Sequence, residues 1–269
     1  MINKLGQLSL AFFRWRANPL TFGLDVNDVR TVYAYQQTIE RNPLLQWIYQ
    51  KRYQEFLPAL KATEKLGLPR VELGSGPSHM DRFIIGIIKT DVIEHENMDE
   101  LVDGESLPFA SGSLGAIFMT NVLHHFREPA NFLKEAERTL ASGGRLVCVE
   151  PSNSWLQKLA TNQGSPHEYN DDTVTDWHNE ITGRLSHANN SLPWIIFVRD
   201  RARFEREFPG LRILKIRYHT FLAFYLSGGF HYKPFVPLVL TPLVILMEKV
   251  CRPLCRWLGF EMTIEIEKK

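Results

Sequence analysis

VELGSGPSHM, residues 71–80, carries an apolar strand into two glycines set two apart, with an acid just ahead of them. Glycine has no Cβ, so a backbone that turns at Gly74 and Gly76 lets a ligand come within contact distance. A GxG pair alone is a common turn, and its flanks decide what it means. IIGIIKTDV at 84–92 reads as a second strand, DELVDGESLPF at 99–109 holds a brief third, and LGAIFMTNV at 114–122 is a strongly apolar fourth. REPANFLKEAERTL at 127–140 has helical periodicity, and GGRLVCVEP at 143–151 is a fifth strand. Near-continuously apolar strands alternating with helices argue for an α/β fold, a doubly wound parallel sheet covered on both faces.

In such a sheet ligands bind beyond the C-terminal ends of the strands. Asp91 ends the second strand, where a carboxylate can accept hydrogen bonds from ribose hydroxyls. Asp103 ends the third and is followed by Glu105, where a carboxylate can accept from an exocyclic adenine amine. A dinucleotide would need its pyrophosphate on G-x-G-x-x-G, and the third glycine is missing, since Pro77, Ser78 and His79 follow GSG. Glu72 beside this turn would repel a pyrophosphate and suits a ligand with a cationic tail.

Taken together, these motifs resemble the class I S-adenosylmethionine-dependent methyltransferases from Val71 to Pro151. The resemblance implies a seven-stranded, mostly parallel, Rossmann-like sheet whose last strand is antiparallel. LRILKIRYHTF at 211–221 would be strand six and EMTIEIEKK at 261–269 strand seven. It implies S-adenosylmethionine as cofactor. By position, Glu72, Gly74 and Gly76 would hold the methionine end, with Leu73 and Ser75 between them. Asp91 and Val92 would take the ribose, and Asp103, Gly104 and Glu105 the adenine. Asn121 would lie beside the methyl group. Ser78 departs from the family, which often has a third glycine there. The Asp91–Asp103 connection leaves little room for a helix, so the adenine pocket is expected to be open.

Transfer to a hydroxyl needs a proton removed, and His124 and His125 follow the fourth strand directly. Histidine titrates near neutral pH, so either is a candidate general base. Adjacent residues usually point apart, so at most one is expected to face the substrate; otherwise one caps the next helix and the other packs. Glu150 is expected to anchor a loop. No HxxxH or CxxC spacing occurs, so no metal is expected. Alternatives to an active methyltransferase are a non-catalytic S-adenosylmethionine or nucleoside-binding scaffold and an NAD-dependent oxidoreductase.

Domain boundaries follow these shifts in pattern: an N-terminal helical cap over 1–65, a cofactor-binding core over 66–151, a lid and acceptor region over 152–210, and the final strands over 211–269. The lid holds Trp155, His167, Tyr169, Trp177, His178 and Trp194. Residues 222–260 form an apolar insertion before the last strand. Its longest charge-free run, Pro234 to Met247, is short for a membrane span and rich in proline. From residue 243 onward Glu248, Lys249, Arg252 and Arg256 share one narrow helical stripe, which predicts burial on most other sides. The partner is left open among core, a second subunit in a homo-oligomer and the inner face of a membrane, met through 234–258. A membrane-facing insertion points to a lipid-linked or amphipathic acceptor, and a hydrophobic insertion late in the sheet resembles bacterial methyltransferases that act on glycans or lipid-like acceptors. The first residues also read as a basic amphipathic helix.

The bulk composition fits a globular chain of 269 residues, 44% hydrophobic and 23% charged. A net charge of +1 gives no field for nucleic acid. Three cysteines make neither a disulfide framework nor a zinc cluster, which fits a reducing, cytoplasmic setting.

Overall fold

The computed structural model describes residues 15–164, 167–180 and 183–269. The predicted amphipathic helix at the N-terminus lies almost wholly outside them.

Two helices open the described chain. α1, Val29–Arg41, starts at Asp28, whose side chain accepts from the Arg30 N–H. α2, Pro43–Thr63, starts at Asn42, whose Oδ1 accepts from Leu44 and Leu45 N–H while its Nδ2 donates to Ser227 C=O. Pro43 fits there because a first-turn residue has no intrahelical N–H bond to lose.

The main sheet has seven strands: β1 Arg70–Leu73, β2 Ile87–Asp91, β3 Glu100–Leu101, β4 Leu114–Thr120, β5 Leu140–Pro151, β8 Leu211–His219 and β9 Glu261–Lys268. Their order is β3-β2-β1-β4-β5-β9-β8. All neighbours pair in parallel except β9, which is antiparallel to both β5 and β8. Two further short strands, β6 Glu168–Tyr169 and β7 Ala188–Asn189, pair apart from it.

Both faces are covered, which explains the unbroken apolar strands. On one face Val71, Leu73, Ile117, Met119, Leu146, Cys148, Ile264 and Ile266 pack with Phe132, Leu133 and Ala136 of α3, Pro129–Thr139. On the other, Phe118, Val147 and Val149 pack against Tyr53, Phe56 and Ala59 of α2. α2 is tied to the sheet by a buried ion pair in which Arg52 Nε donates to Glu261 Oε1 at 2.7 Å.

Three elements differ from expectation. β2 begins at Ile87, because Gly86 turns at φ +75 and leaves Ile85 exposed. α3 begins at Pro129, the N1 proline, two residues after the predicted start. β5 begins at Leu140, so its strand runs through the turn residue Gly143.

α4, Trp155–Gly164, follows the fifth strand, and the insertion holds three α-helices, α5 Ala223–Ser227, α6 Thr241–Cys251 and α7 Cys255–Leu258. The expected polar stripe on α6 splits. Glu248 turns inward and accepts from the N–H groups of Phe221, Leu222 and Ala223 at 2.6–2.7 Å, capping α5. Lys249, Arg252 and Arg256 stay exposed. Burial on most sides does not occur within the chain: Leu243, Leu246 and Val250 of α6 face outward, as do Val239, Leu254 and Trp257. Among the described residues no helix is long and apolar enough to cross a membrane.

Candidate active site

A cavity of about 760 Å³ opens at the C-terminal ends of β1, β2 and β4. Its first wall is the turn after β1. Gly74 and Gly76 have φ of +66 and +43, the left-handed region that glycine enters without penalty. A Cβ on Gly74 would sit 2.5 Å from Val122 Cγ2, whereas at Gly76 only Asp91 Oδ2, at 3.9 Å, lies within 4 Å. The turn therefore needs glycine once for packing against Val122 and once to leave room beside Asp91.

Asp91 holds this corner together. Its Oδ2 accepts the Gly76 N–H at 2.7 Å, and its Oδ1 accepts those of Val92 at 2.7 Å and Ile93 at 2.9 Å. Asp103, Gly104 and Glu105 line the cavity nearby. Asp103 Oδ1 accepts the Glu105 N–H, and Glu105 accepts the N–H groups of Arg127 and Glu128 ahead of α3. Gly104 is required because a Cβ there would meet the Phe126 ring at 2.6 Å. Leu73, Val92 and Asn121 also line the cavity, and Asn121 has φ +55.

Two of the expected cofactor residues point elsewhere. Glu72 and Ser75 are not among the described residues that line the cavity. Strand alternation turns Glu72 away from Val71 and Leu73 toward the α2 side. There it lies against the Ser78 hydroxyl, which also meets Tyr53 Oη at 3.1 Å and accepts the Met80 N–H. Burial pushes the Glu72 carboxyl up to about 8. In this position Glu72 does not line the cavity where a cationic tail would lie. The Ser78 hydroxyl, where the family often has glycine, is engaged by Tyr53 and the Met80 N–H.

The 93–99 turn forms no helix, as its length implied, and α1 lies against it: the Glu96 N–H donates to Tyr33 Oη and Asn97 Nδ2 to Gln36 Oε1, while Leu101 and Asp103 at the cavity edge stay exposed. Arg184 reaches across from the other side to donate to Val92 C=O.

His124 and His125 lie in the turn Leu123–His125 and both line the cavity, with ring centroids 4.3 Å apart. A turn does not impose the alternation of a strand, so the expectation that only one would face inward fails. His124 Nδ1 meets Glu150 Oε2 at 2.6 Å, while Glu150 Oε1 accepts the Val122 and Leu123 N–H groups. Burial works against a charged His124, but attraction to Glu150 outweighs it and raises the pKa. Burial, with His124 alongside, holds His125 well below the ordinary range. Glu168 joins them: one ligand-type atom from each of His124, His125 and Glu168 lies within 4.8 Å of the others.

The remaining walls come from segments that sequence patterns do not connect to the motifs. Tyr35 of α1 contributes, as do Phe224, Tyr225, Phe230, His231 and Phe235 of the insertion. Of the aromatic and histidine residues expected to form a lid, His167 lines the cavity. Trp177 is buried in the core, its Nε1 donating to Asp200, and Trp155 is exposed.

The residues fit S-adenosylmethionine. The volume suits a cofactor with an acceptor beside it. Gly76 leaves an open cradle next to the Asp91 carboxylate, and the lining carries the carboxylates of Asp91, Asp103, Glu105, Glu168 and Glu261 beside the guanidinium groups of Arg52, Arg127 and Arg184.

Residues 91–148 match the family model described as a methyltransferase domain. A malonyl-[acyl-carrier protein] O-methyltransferase of Hahella chejuensis is 35% identical over 66 residues, 23% of this chain and 24% of that protein. An uncharacterized 37.1 kDa protein in a transposon of Streptomyces fradiae is 46% identical over 52 residues, 19% of this chain and 15% of that protein. The matches thus span a quarter or less of those relatives. Among solved structures, an S-adenosylmethionine-dependent methyltransferase from Thermotoga maritima is 17% identical, covering 87% of this chain and 99% of that one, with a TM-score of 0.44. The matched segment runs from Asp91 into β5, within a seven-stranded sheet whose antiparallel member is its last strand, the Rossmann-like arrangement of S-adenosylmethionine-dependent methyltransferases.

Proposed function

We propose that the protein transfers the methyl group of S-adenosylmethionine to an oxygen of an amphipathic acceptor, lipid-linked or glycan in kind, met at a membrane surface. One observation carries this: the cavity with the glycine turn and Asp91 at one end has an aromatic wall supplied by the apolar insertion at the other. The cofactor, when bound, brings an electrophilic methyl on a sulfonium whose C–S electrons return to sulfur as the acceptor oxygen takes the carbon. Positioning is the protein's largest contribution to such a displacement, worth up to about 7–11 kcal/mol when the reactants are well aligned. Asp91 and the β1 turn hold the adenosine side. Asn121 stands at the end of β4, between that side and the histidines. The corner made by His124 and His125, with Glu150 behind His124, faces the acceptor and promotes loss of its proton, directly or through a group held there.

Phe224, Tyr225 and Phe235 give the acceptor side an apolar surface that suits a long hydrocarbon or ring system. The same insertion carries the exposed apolar face of α6, flanked by Lys249, Arg252 and Arg256. Basic side chains beside exposed Leu, Val and Trp favour an anionic leaflet, as on the inner face of a membrane.

The test supplies methyl-labelled S-adenosylmethionine to the purified protein with lipid and aqueous extracts in parallel. Label moving into the lipid extract, in a product stable to mild acid and lost on ether or ester cleavage, is the expected result. Label confined to water-soluble products would overturn the acceptor class, and no transfer to either extract would overturn the activity.

A further inference from the structure

Three side chains from two separate parts of the chain meet at one corner of the cavity. His124 and His125 follow β4, and Glu168 opens β6. Their ligand-type atoms lie within 4.8 Å of one another. Three points within that spacing sit no more than about 2.8 Å from a common centre, so each moves at most roughly 0.7 Å to reach a zinc bond length of about 2.0–2.1 Å. Ordinary side-chain adjustment covers that distance.

The surroundings are those of a ligand set. Glu150 engages His124 Nδ1 at 2.6 Å and is itself fixed by two main-chain N–H groups. That bond sets the tautomer and leaves the other ring nitrogen as a lone-pair donor, the carboxylate–histidine pairing found behind metal-bound imidazoles. His125 Nδ1 is shielded from solvent and has no hydrogen-bond partner among the described residues. A buried polar atom left in that state calls for an explanation. Glu168 accepts from Asn190 Nδ2 at 3.0 Å through Oε2. All three side chains line the cavity, so further coordination positions face the space where a substrate enters. The two imidazoles are borderline donors and the carboxylate a hard one. They suit zinc and its first-row neighbours rather than magnesium or calcium, which take oxygen ligands. Three protein ligands with an open side is the arrangement of catalytic zinc sites.

We infer that His124, His125 and Glu168 hold a divalent first-row transition ion of the zinc class, with Glu150 as a positioning residue behind His124. Sequence spacing could not show this, because the third ligand comes from β6. The site rests on the proposed function in one respect: it faces the part of the cavity assigned to the acceptor. An acceptor hydroxyl at an open position there gives up its proton to water more readily, and neither histidine has to act as the base.

Isothermal titration of the full chain with zinc chloride, and absorption spectroscopy with cobalt(II), test the site without any turnover. One ion per chain is expected, with cobalt bands of a four- or five-coordinate centre. His125→Ala and Glu168→Gln should each weaken binding at least tenfold, and Glu150→Gln by about 10–100-fold. His79→Ala, a histidine away from the cavity, should leave it unchanged. Circular dichroism and S-adenosylmethionine binding, measured on each variant, show that it is folded. No ion bound, or binding indifferent to His125→Ala and Glu168→Gln in folded protein, overturns the inference. If the cofactor still binds in that case, the methyltransferase assignment stands; if neither binds, that assignment falls as well.

Discussion

Glu72 shows how one residue can keep its place in a motif and change its job. It lies opposite Phe118 of β4, turned from the cavity, with Oε2 unpartnered and its pKa raised to about 8 by burial. The sign follows directly. The folded pKa stands above the ordinary 4.5, so the stability tied to the neutral group is full below 4.5 and is lost as pH rises through about 8. Glu72→Gln keeps the shape and removes the titration. The variant's melting temperature should match wild type near pH 4.5 and exceed it increasingly up to about pH 8, then run parallel; thermal melts across pH would show this, and curves parallel throughout would contradict it. Gly74, Gly76 and Asp91 were legible in the sequence because their roles are set within a few bonds of the strand ends. The side to which Glu72 points was not, because strand alternation fixes which residues share a face but not which face borders the cavity. Glu168 escaped for a different reason: nothing local marks a two-residue strand as the neighbour of a turn more than forty residues earlier.

Among the elements, the strands read well because burial on both faces leaves a run of apolar residues that few other structures need. Errors gathered at ends, where Gly86 and Pro129 act as local punctuation stronger than the apolar pattern around them. α6 is a more instructive case. Its charged residues fall on one stripe in the sequence, yet Glu248 is spent on capping α5 and the exposed charges are basic. Val239, Val250 and Trp257 are 81%, 70% and 64% exposed, a density of outward apolar side chains that water does not favour. Flotation with vesicles containing anionic lipid should carry the wild-type chain upward, and Leu243→Glu with Leu246→Glu should leave most of it at the bottom at unchanged melting temperature. Flotation equal for both, or absent for wild type, would remove the membrane from the proposal.

At the scale of the whole molecule, sheet order decides where ligands can lie. β1 sits between β2 and β4, so the chain's crossovers separate there and open the crevice occupied by the cavity. The layers around it come from distant sequence: α1 closes over the turn after β2, and the insertion brings its aromatic wall from beyond β8. Arg52 and Glu261 lock α2 to the start of β9 with both charges buried, a pairing whose loss on one side leaves an uncompensated charge. The core from β1 to β5 was legible because its motifs are contiguous; the acceptor side was not, since it is assembled from α1, the segment around β6 and the insertion. The most direct measurement is calorimetric titration of the purified chain with S-adenosylmethionine, S-adenosylhomocysteine and NAD, on wild type and Asp91→Asn. Both sulfur nucleosides should bind one per chain, NAD should not, and Asp91→Asn should lose roughly ten- to a hundredfold in affinity, the value of hydrogen bonds to a charged group. A chain that binds NAD, or ignores both sulfur nucleosides while folded, would contradict the cofactor assignment and the methyl transfer built on it.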